Sequence, residues 1–146
     1  MNVPDGLTVE FWLKKDSFDT SKTEKEVVLD LWNGKASSSV DYGRFTLALT
    51  SSGQSDGSNT FLVTLQSGSV GFFEQSIGTN SITTSSLGDW HHYAFSFISA
   101  STGIDSRIYL DGNLNQKATL GSQGINEVGG LINAYIGALQ TSPYGS

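Results

Sequence analysis

Apolar and polar residues alternate along much of this chain, and a period of two is the signature of a half-buried β-strand. In Leu7-Thr8-Val9-Glu10-Phe11-Trp12-Leu13-Lys14, the residues Leu7, Val9, Phe11 and Leu13 share one face. The same reading predicts strands over 27–32, 45–50, 61–66, 70–75, 90–98, 107–111 and 133–138. Clusters of Ser, Gly, Asn and Asp, such as 51–59, separate them and mark turns. Tyr109-Leu110-Asp111-Gly112-Asn113-Leu114 sets Asp-Gly between apolar residues, the pair favoured where both central positions of a hairpin need positive φ, which gives Asp111 and Gly112 a structural role. Only 21–26, where Ser21 and Glu24 fit a capping box, and 124–130 lean towards helix, for a turn or two.

Many short alternating strands with frequent turns must pack face to face to bury their apolar sides. The expected fold is therefore all-β: a two-sheet antiparallel β-sandwich in one domain spanning 1–146. A chain of 146 residues is large enough to bury a core. In the run 90–98, Trp90, His92, Ala94, Ser96 and Ile98 face one way and His91, Tyr93, Phe95 and Phe97 the other. Both faces are largely apolar. That pattern predicts a central strand covered on both sides, by the partner sheet and by loops crossing a concave face.

Composition narrows the function. Ser and Thr make up about a quarter of the chain, while charged residues reach 15% against the roughly 25% of an average domain. Eight basic residues are scattered among 14 acidic ones, for a net charge of −6. A basic footprint able to neutralise a phosphate backbone is missing, so nucleic acid is not an expected partner. No apolar run approaches the roughly 18 residues of a membrane span, and 1–5 does not begin a secretory signal, so the expectation is a soluble domain without membrane partners. With no cysteine, thiolate metal sites, thiol nucleophiles and disulfides are excluded. No Asn-x-Ser/Thr acceptor occurs, so N-glycosylated secretion gains no support.

Four segments carry a family resemblance. Leu7-Thr8-Val9-Glu10-Phe11-Trp12-Leu13 is similar to an opening "FTVEFW" strand, Gly88-Asp89-Trp90-His91-His92-Tyr93-Ala94 to a "WHHVA" strand, Arg107-Ile108-Tyr109-Leu110-Asp111-Gly112 to an "lYvDG" hairpin, and Tyr135-Ile136-Gly137-Ala138 to an "iGa" strand. Their order resembles the concanavalin A-like lectin/glucanase superfamily, in particular its laminin-G-like and pentraxin-like jelly-roll modules. The resemblance implies a jelly roll, not a function. Family members usually carry a further strand before the first segment and an "F-x-G-x-I-D-x-V" run after the last. The sandwich is therefore expected to be incomplete at the chain termini, either because the sequence is a fragment of a longer protein or because a neighbouring chain completes the sandwich edge.

No catalytic constellation accompanies the fold signal. The superfamily's glucanases share a Glu-x-Asp-x-Glu run, and the nearest stretch here, Glu24-Lys25-Glu26-Val27-Val28-Leu29-Asp30, has the wrong spacing. G-x-S-x-G, P-loop and H-E-x-x-H motifs are absent. The chain is read as not an enzyme. His91 and His92 are adjacent on a strand, point to opposite faces and cannot share one zinc ion without distortion. Calcium is the cofactor to consider, because the resembling modules often bind it through rim Asp carboxylates and loop carbonyls. Asp30, Asp41, Asp56, Asp105 and Asp111, with Asn33 as a neutral donor, supply oxygen, and Asp30 and Asp105 are the leading metal candidates.

A glycan site needs an aromatic platform beside planar hydrogen-bonding groups. Trp32, Asn33, Asp41, Tyr42 and Tyr144 have that chemistry and are the candidate ligand-binding residues, although Trp32 and Tyr42 also suit packing within the sandwich. Alternation and the resemblance place Trp12 and Trp90 in the core or on the concave face, structural together with His92; truncating Trp90 or His92 is then expected to destabilise the fold. The resulting expectation is a non-catalytic recognition module for a glycan or protein surface, on an extracellular or virion surface protein. The alternative is a structural or decoration component of a bacteriophage head or tail, which the hydroxyl-rich surface and open edge fit; a degenerate glycoside hydrolase is a distant third.

Overall fold

The computed structural model describes residues 1–16, 25–50, 60–79, 82–83 and 85–142. Nine strands occur among them: β1 (Leu7–Leu13), β2 (Lys25–Trp32), β3 (Gly43–Thr50), β4 (Phe61–Ser67), β5 (Val70–Ile77), β6 (His91–Ala100), β7 (Gly103–Leu110), β8 (Asn113–Leu120) and β9 (Asn133–Ile136). A 3₁₀ turn, Ser86–Gly88, precedes β6. The strands form a four-stranded sheet in the order β1-β6-β7-β8 and a five-stranded sheet in the order β5-β4-β3-β2-β9. All pairings are antiparallel. This is the two-sheet antiparallel sandwich that the alternation predicts, consistent with the jelly roll that the resemblance implies.

Alternation and register agree where the two sheets meet. Phe11, Tyr93 and Leu110 lie in register across β1, β6 and β7, as do Val9, Phe95 and Ile108. Opposite them, Phe45, Leu47 and Leu49 of β3 pair with Leu65, Val63 and Phe61 of β4. The rings interlock between sheets: Phe61 meets Tyr93 at 5.1 Å and Phe95 at 5.0 Å, and Phe45 meets Phe97 at 5.3 Å, all edge-on. Such geometry sets positive ring edges against negative faces and adds to the stabilisation from burying aromatic area.

One core group lacks a partner. Tyr93 is fully buried, and among the described residues its hydroxyl has no hydrogen-bond partner. Burial, helped by the charge of Asp111, pushes that hydroxyl up to about 12. A proton held more tightly in the folded state stabilises the fold fully below the ordinary tyrosine value of 10.0, and that contribution is lost as pH rises towards 12. Tyr93→Phe removes an unpaired buried polar atom and is expected to stabilise the protein by about 1 kcal/mol in neutral urea titrations. The gain should widen above pH 10.0; a variant weaker than wild type at both pH values would show that the hydroxyl is satisfied.

The sequence reading missed β8, and the helical leaning of 124–130 is not realised: that segment is irregular. Of 21–26, Lys25 and Glu26 open β2, and the capping-box pair Ser21 and Glu24 lies outside the described residues. The Asp-Gly hairpin is as expected, with φ of 49° at Asp111 and 79° at Gly112 joining β7 to β8.

Candidate functional site

At one end of the five-stranded sheet, three connections enclose a cleft of about 910 Å³. They are the β2–β3 loop, the β4–β5 turn and the 126–131 segment that leads towards β9. Asn33 shapes the first. Its side-chain amide donates to the Asp41 carbonyl at 2.6 Å, and its Oδ1 accepts from the backbone N–H of Gly43 at 3.1 Å and of Lys35 at 3.3 Å. The Gly68 N–H at the β4–β5 turn donates to the Tyr42 carbonyl at 2.6 Å and ties the second connection to the first. The third is fixed by Val128, whose N–H donates to the Met1 carbonyl at 2.9 Å. Carboxylates of Asp41 and Glu127, the Asn126 amide and the hydroxyls of 37–39 line the cleft, alongside the exposed aliphatic side chains of Val40 and Leu131.

Three of the five candidate ligand residues, Asn33, Asp41 and Tyr42, line this cleft. Only Asp41 is exposed; Asn33 is buried as a loop staple, and Tyr42 is 7% exposed, so its ring is not a stacking platform. Trp32, at 3%, is buried too, its indole N–H donating to the Lys35 carbonyl at 3.0 Å. Both rings pack within the protein, which corrects the expectation of an exposed aromatic site at Trp32 and Tyr42. Tyr144 and Asp56 lie outside the described residues.

Arg44, which the sequence reading did not single out, explains why those groups are occupied. Its guanidinium lies 4.7 Å from the centre of the Trp32 ring and makes two 2.8 Å hydrogen bonds to the carboxylate of the fully buried Asp30. Thr46 Oγ1 and the Gln140 N–H donate to the same carboxylate at 3.0 and 3.2 Å, while Arg44 donates to the Gln140 carbonyl at 2.7 Å. Burial opposes the charge on Arg44, but hydrogen bonds and attraction from Asp30 win and raise its pKa above the ordinary value. Asp30 is thus the anchor of an internal ion pair, a correction to its candidacy as a calcium ligand. Asp105 lies in the other sheet and accepts from Thr119 Oγ1 at 3.2 Å. Among the described residues no three His, Cys, Asp or Glu side chains converge.

Trp12 and Trp90 correct the sequence reading in the opposite direction. Each is 64% exposed. Trp12 alternates with the inward-facing Phe11 and Leu13 and stands on the outer face of the four-stranded sheet, its ring 5.4 Å from that of His92. The outer face of β6 is likewise not buried: Ala94 and Ser96 are half-covered and Ile98 is exposed. No described loop covers it as expected. Truncating Trp90 therefore removes little packing. His91 and His92 do face apart, with His91 Nδ1 2.6 Å from Asp111 Oδ2 and His92 Nε2 3.7 Å from Glu10. Asp111 also accepts from the His92 backbone N–H at 2.9 Å; that bond, followed by the one from His91, holds its carboxyl below the usual aspartate value.

No helix among the described residues is long and apolar enough to cross a membrane. No curated protein matches the sequence. The family model of laminin-G-like domains in the Concanavalin A-like lectin/glucanases superfamily matches residues 1–145, in accord with the two antiparallel sheets. The chain belongs to that superfamily, as a laminin-G-like module of the kind that binds carbohydrate or protein.

Proposed function

We propose that this chain is a non-catalytic recognition module that holds a glycan in the cleft between the β2–β3 loop, the β4–β5 turn and the 126–131 segment. The observation that carries the reading is the lining: hydroxyls, an amide and two carboxylates set beside two exposed aliphatic side chains. Sugars need planar hydrogen-bond partners for their hydroxyls and apolar contact for their C–H faces. The fate of Asp30 supports the absence of catalysis, since this carboxylate, the buried one among the described residues of the acidic stretch before β3, is neutralised by Arg44. Laminin-G-like domains are typically extracellular, and a place on an extracellular surface protein follows that tendency.

The test is calorimetric titration with neutral gluco-, galacto-, manno- and xylo-oligosaccharides, using wild type, Asp41→Ala and Glu127→Gln. One series is expected to bind, and each variant to weaken it by about tenfold through a lost charge-assisted hydrogen bond. Binding by none, or equal binding by all three proteins, would overturn the assignment to this cleft.

A second reading, an assembly component of a particle such as a bacteriophage virion, rests on β1. Among the described residues no strand pairs with its free edge, and such an edge can accept a strand from another chain. Light scattering coupled to size exclusion separates the two: a monomer favours recognition, and closed oligomers favour assembly.

A further inference from the structure

The chain contains a single Asn-Gly pair, Asn33-Gly34, and it falls where β2 passes into the cleft loop. Asparagine is a thermolabile residue, above all before glycine, whose missing side chain leaves the backbone nitrogen open to approach the neighbouring carboxamide. In that reaction the Gly34 nitrogen bonds to Asn33 Cγ, and the side-chain NH2 leaves as ammonia, taking the proton of the Gly34 N–H with it. Water then opens the five-membered imide, giving its hydroxyl to one carbonyl carbon and its proton to the ring nitrogen. Opening at Cγ yields aspartate; opening at the main-chain carbonyl yields isoaspartate. Water enters, ammonia leaves, and nothing is oxidised or reduced.

Both residues are demanded by the turn. Gly34 has a φ of 72°, in the left-handed region that favours glycine, and Asn33 fastens the loop with its side chain. The same fastening opposes the reaction. Asn33 is 9% exposed and Gly34 is buried. The Asn33 amide donates to the Asp41 carbonyl, Oδ1 accepts from the Lys35 and Gly43 N–H groups, and the Asn33 backbone N–H donates to the Gly43 carbonyl at 3.1 Å. The Trp32 indole, donating to the Lys35 carbonyl, clasps the chain across the pair. Ring closure must draw Cγ to bonding distance of the Gly34 nitrogen and expel the group that Asp41 holds, so it works against these bonds. Burial also keeps water from the imide. Opening of the loop removes both obstacles at once.

We propose that Asn33-Gly34 is a self-modification site gated by the β2–β3 loop: the pair is preserved while the loop is fastened, converts when the loop opens, and once converted leaves the loop unfastened. Aspartate puts a carboxylate oxygen where the amide N–H now meets the Asp41 carbonyl, and it places a charge in a buried position. Isoaspartate lengthens the main chain by one carbon between Trp32, in register with Arg44, and Lys35. Loss of ammonia makes either change irreversible. The proposal concerns the loop itself and stands apart from which ligand the cleft takes.

The experiment incubates the intact chain at one mildly alkaline pH in buffer, and in guanidinium chloride below and above its unfolding transition. Mass spectrometry of the peptide carrying Asn33 reads the exchange of NH2 for OH, and an isoaspartyl methyltransferase assay reads the isomer. Conversion is expected to be slower in buffer than above the transition by about tenfold or more, with intermediate rates where the loop opens before the core. Ion exchange then separates the converted protein by its extra negative charge, so the consequence is measured without a variant that has to fold. Its Gly43 and Gly68 amides, which donate to Asn33 and Tyr42, are expected to exchange hydrogen faster than those of fresh protein. Asn33→Asp, made directly, should match the aspartate fraction. Equal rates in buffer and above the transition would overturn the gating. Conversion of Asn33 under neither condition would overturn the site, and unchanged exchange at both amides would overturn the unfastening.

Discussion

Asp30→Ala is expected to lower stability by about 3–5 kcal/mol, because it leaves the Arg44 guanidinium without its counter-charge in a covered site. Asp30 is fully buried and the Arg44 side chain 16% exposed, so solvent cannot replace the lost partner without moving the segment above them. That segment is held by the same pair: Gln140 donates its N–H to Asp30 and accepts from Arg44. The variant should loosen residues 137–140 from the outer face of the five-stranded sheet as well as weaken the fold. Urea unfolding measures the first effect and hydrogen exchange at the Gln140 amide the second. Replacing both charges, as Asp30→Leu with Arg44→Met, should restore much of the loss, since an apolar pair of similar volume avoids the desolvation cost. A loss below about 1 kcal/mol for Asp30→Ala would mean that water already reaches the pair.

This cluster also shows how far the sequence could be read. Asp30, Trp32 and Tyr42 were singled out for their chemistry, and the structure does gather Asp30 and Trp32 about Arg44. Nothing local to 30–33 states that Arg44 will arrive; the register of β2 on β3 decides it, setting Trp32 opposite Arg44 and Asp30 opposite Thr46. Trp12 teaches the converse. Its parity with Thr8 and Glu10 sets it on the polar face of β1, a signal that the core or concave-face expectation did not use, and the structure follows that parity.

Alternation located the other strands; it works best in β3, β4, β6 and β7, whose core-facing residues are buried, while β9 follows the pattern with no buried residue. It missed β8, whose run Asn113-Leu114-Asn115-Gln116-Lys117-Ala118-Thr119-Leu120 sits at a sheet edge with only Leu120 buried. An edge strand needs little apolar alternation, since its ladder partner β7 supplies the hydrogen bonds. The cleft was half legible: the Asn33–Tyr42 loop was chosen for its polar and aromatic groups, but its apposition to 126–131 is a long-range event with no local signal.

That apposition can be tested at a single methyl group. Gly43 lies where β3 leaves the cleft loop, and a Cβ placed on it would fall 2.0 Å from Val128 Cγ1 and 2.9 Å from Val128 Cβ. Turning the valine about χ1 moves its methyls but not its Cβ, so the 126–131 backbone must retreat. Val128 is itself 3% exposed and tied to Met1 through its N–H, so the retreat strains a packed site. Gly43→Ala is expected to cost about 2–3 kcal/mol, as overpacking does in cores, and to abolish binding in the cleft by parting two of its three walls. Gly129→Ala is the control, since a Cβ there meets nothing within 4 Å: the same substitution in the same cleft should change stability by less than about 0.5 kcal/mol. Thermal melts and oligosaccharide titrations on both proteins decide the matter. If Gly43→Ala melts and binds like Gly129→Ala, then β3 and the 126–131 segment are not in contact, and the cleft is not the recognition site.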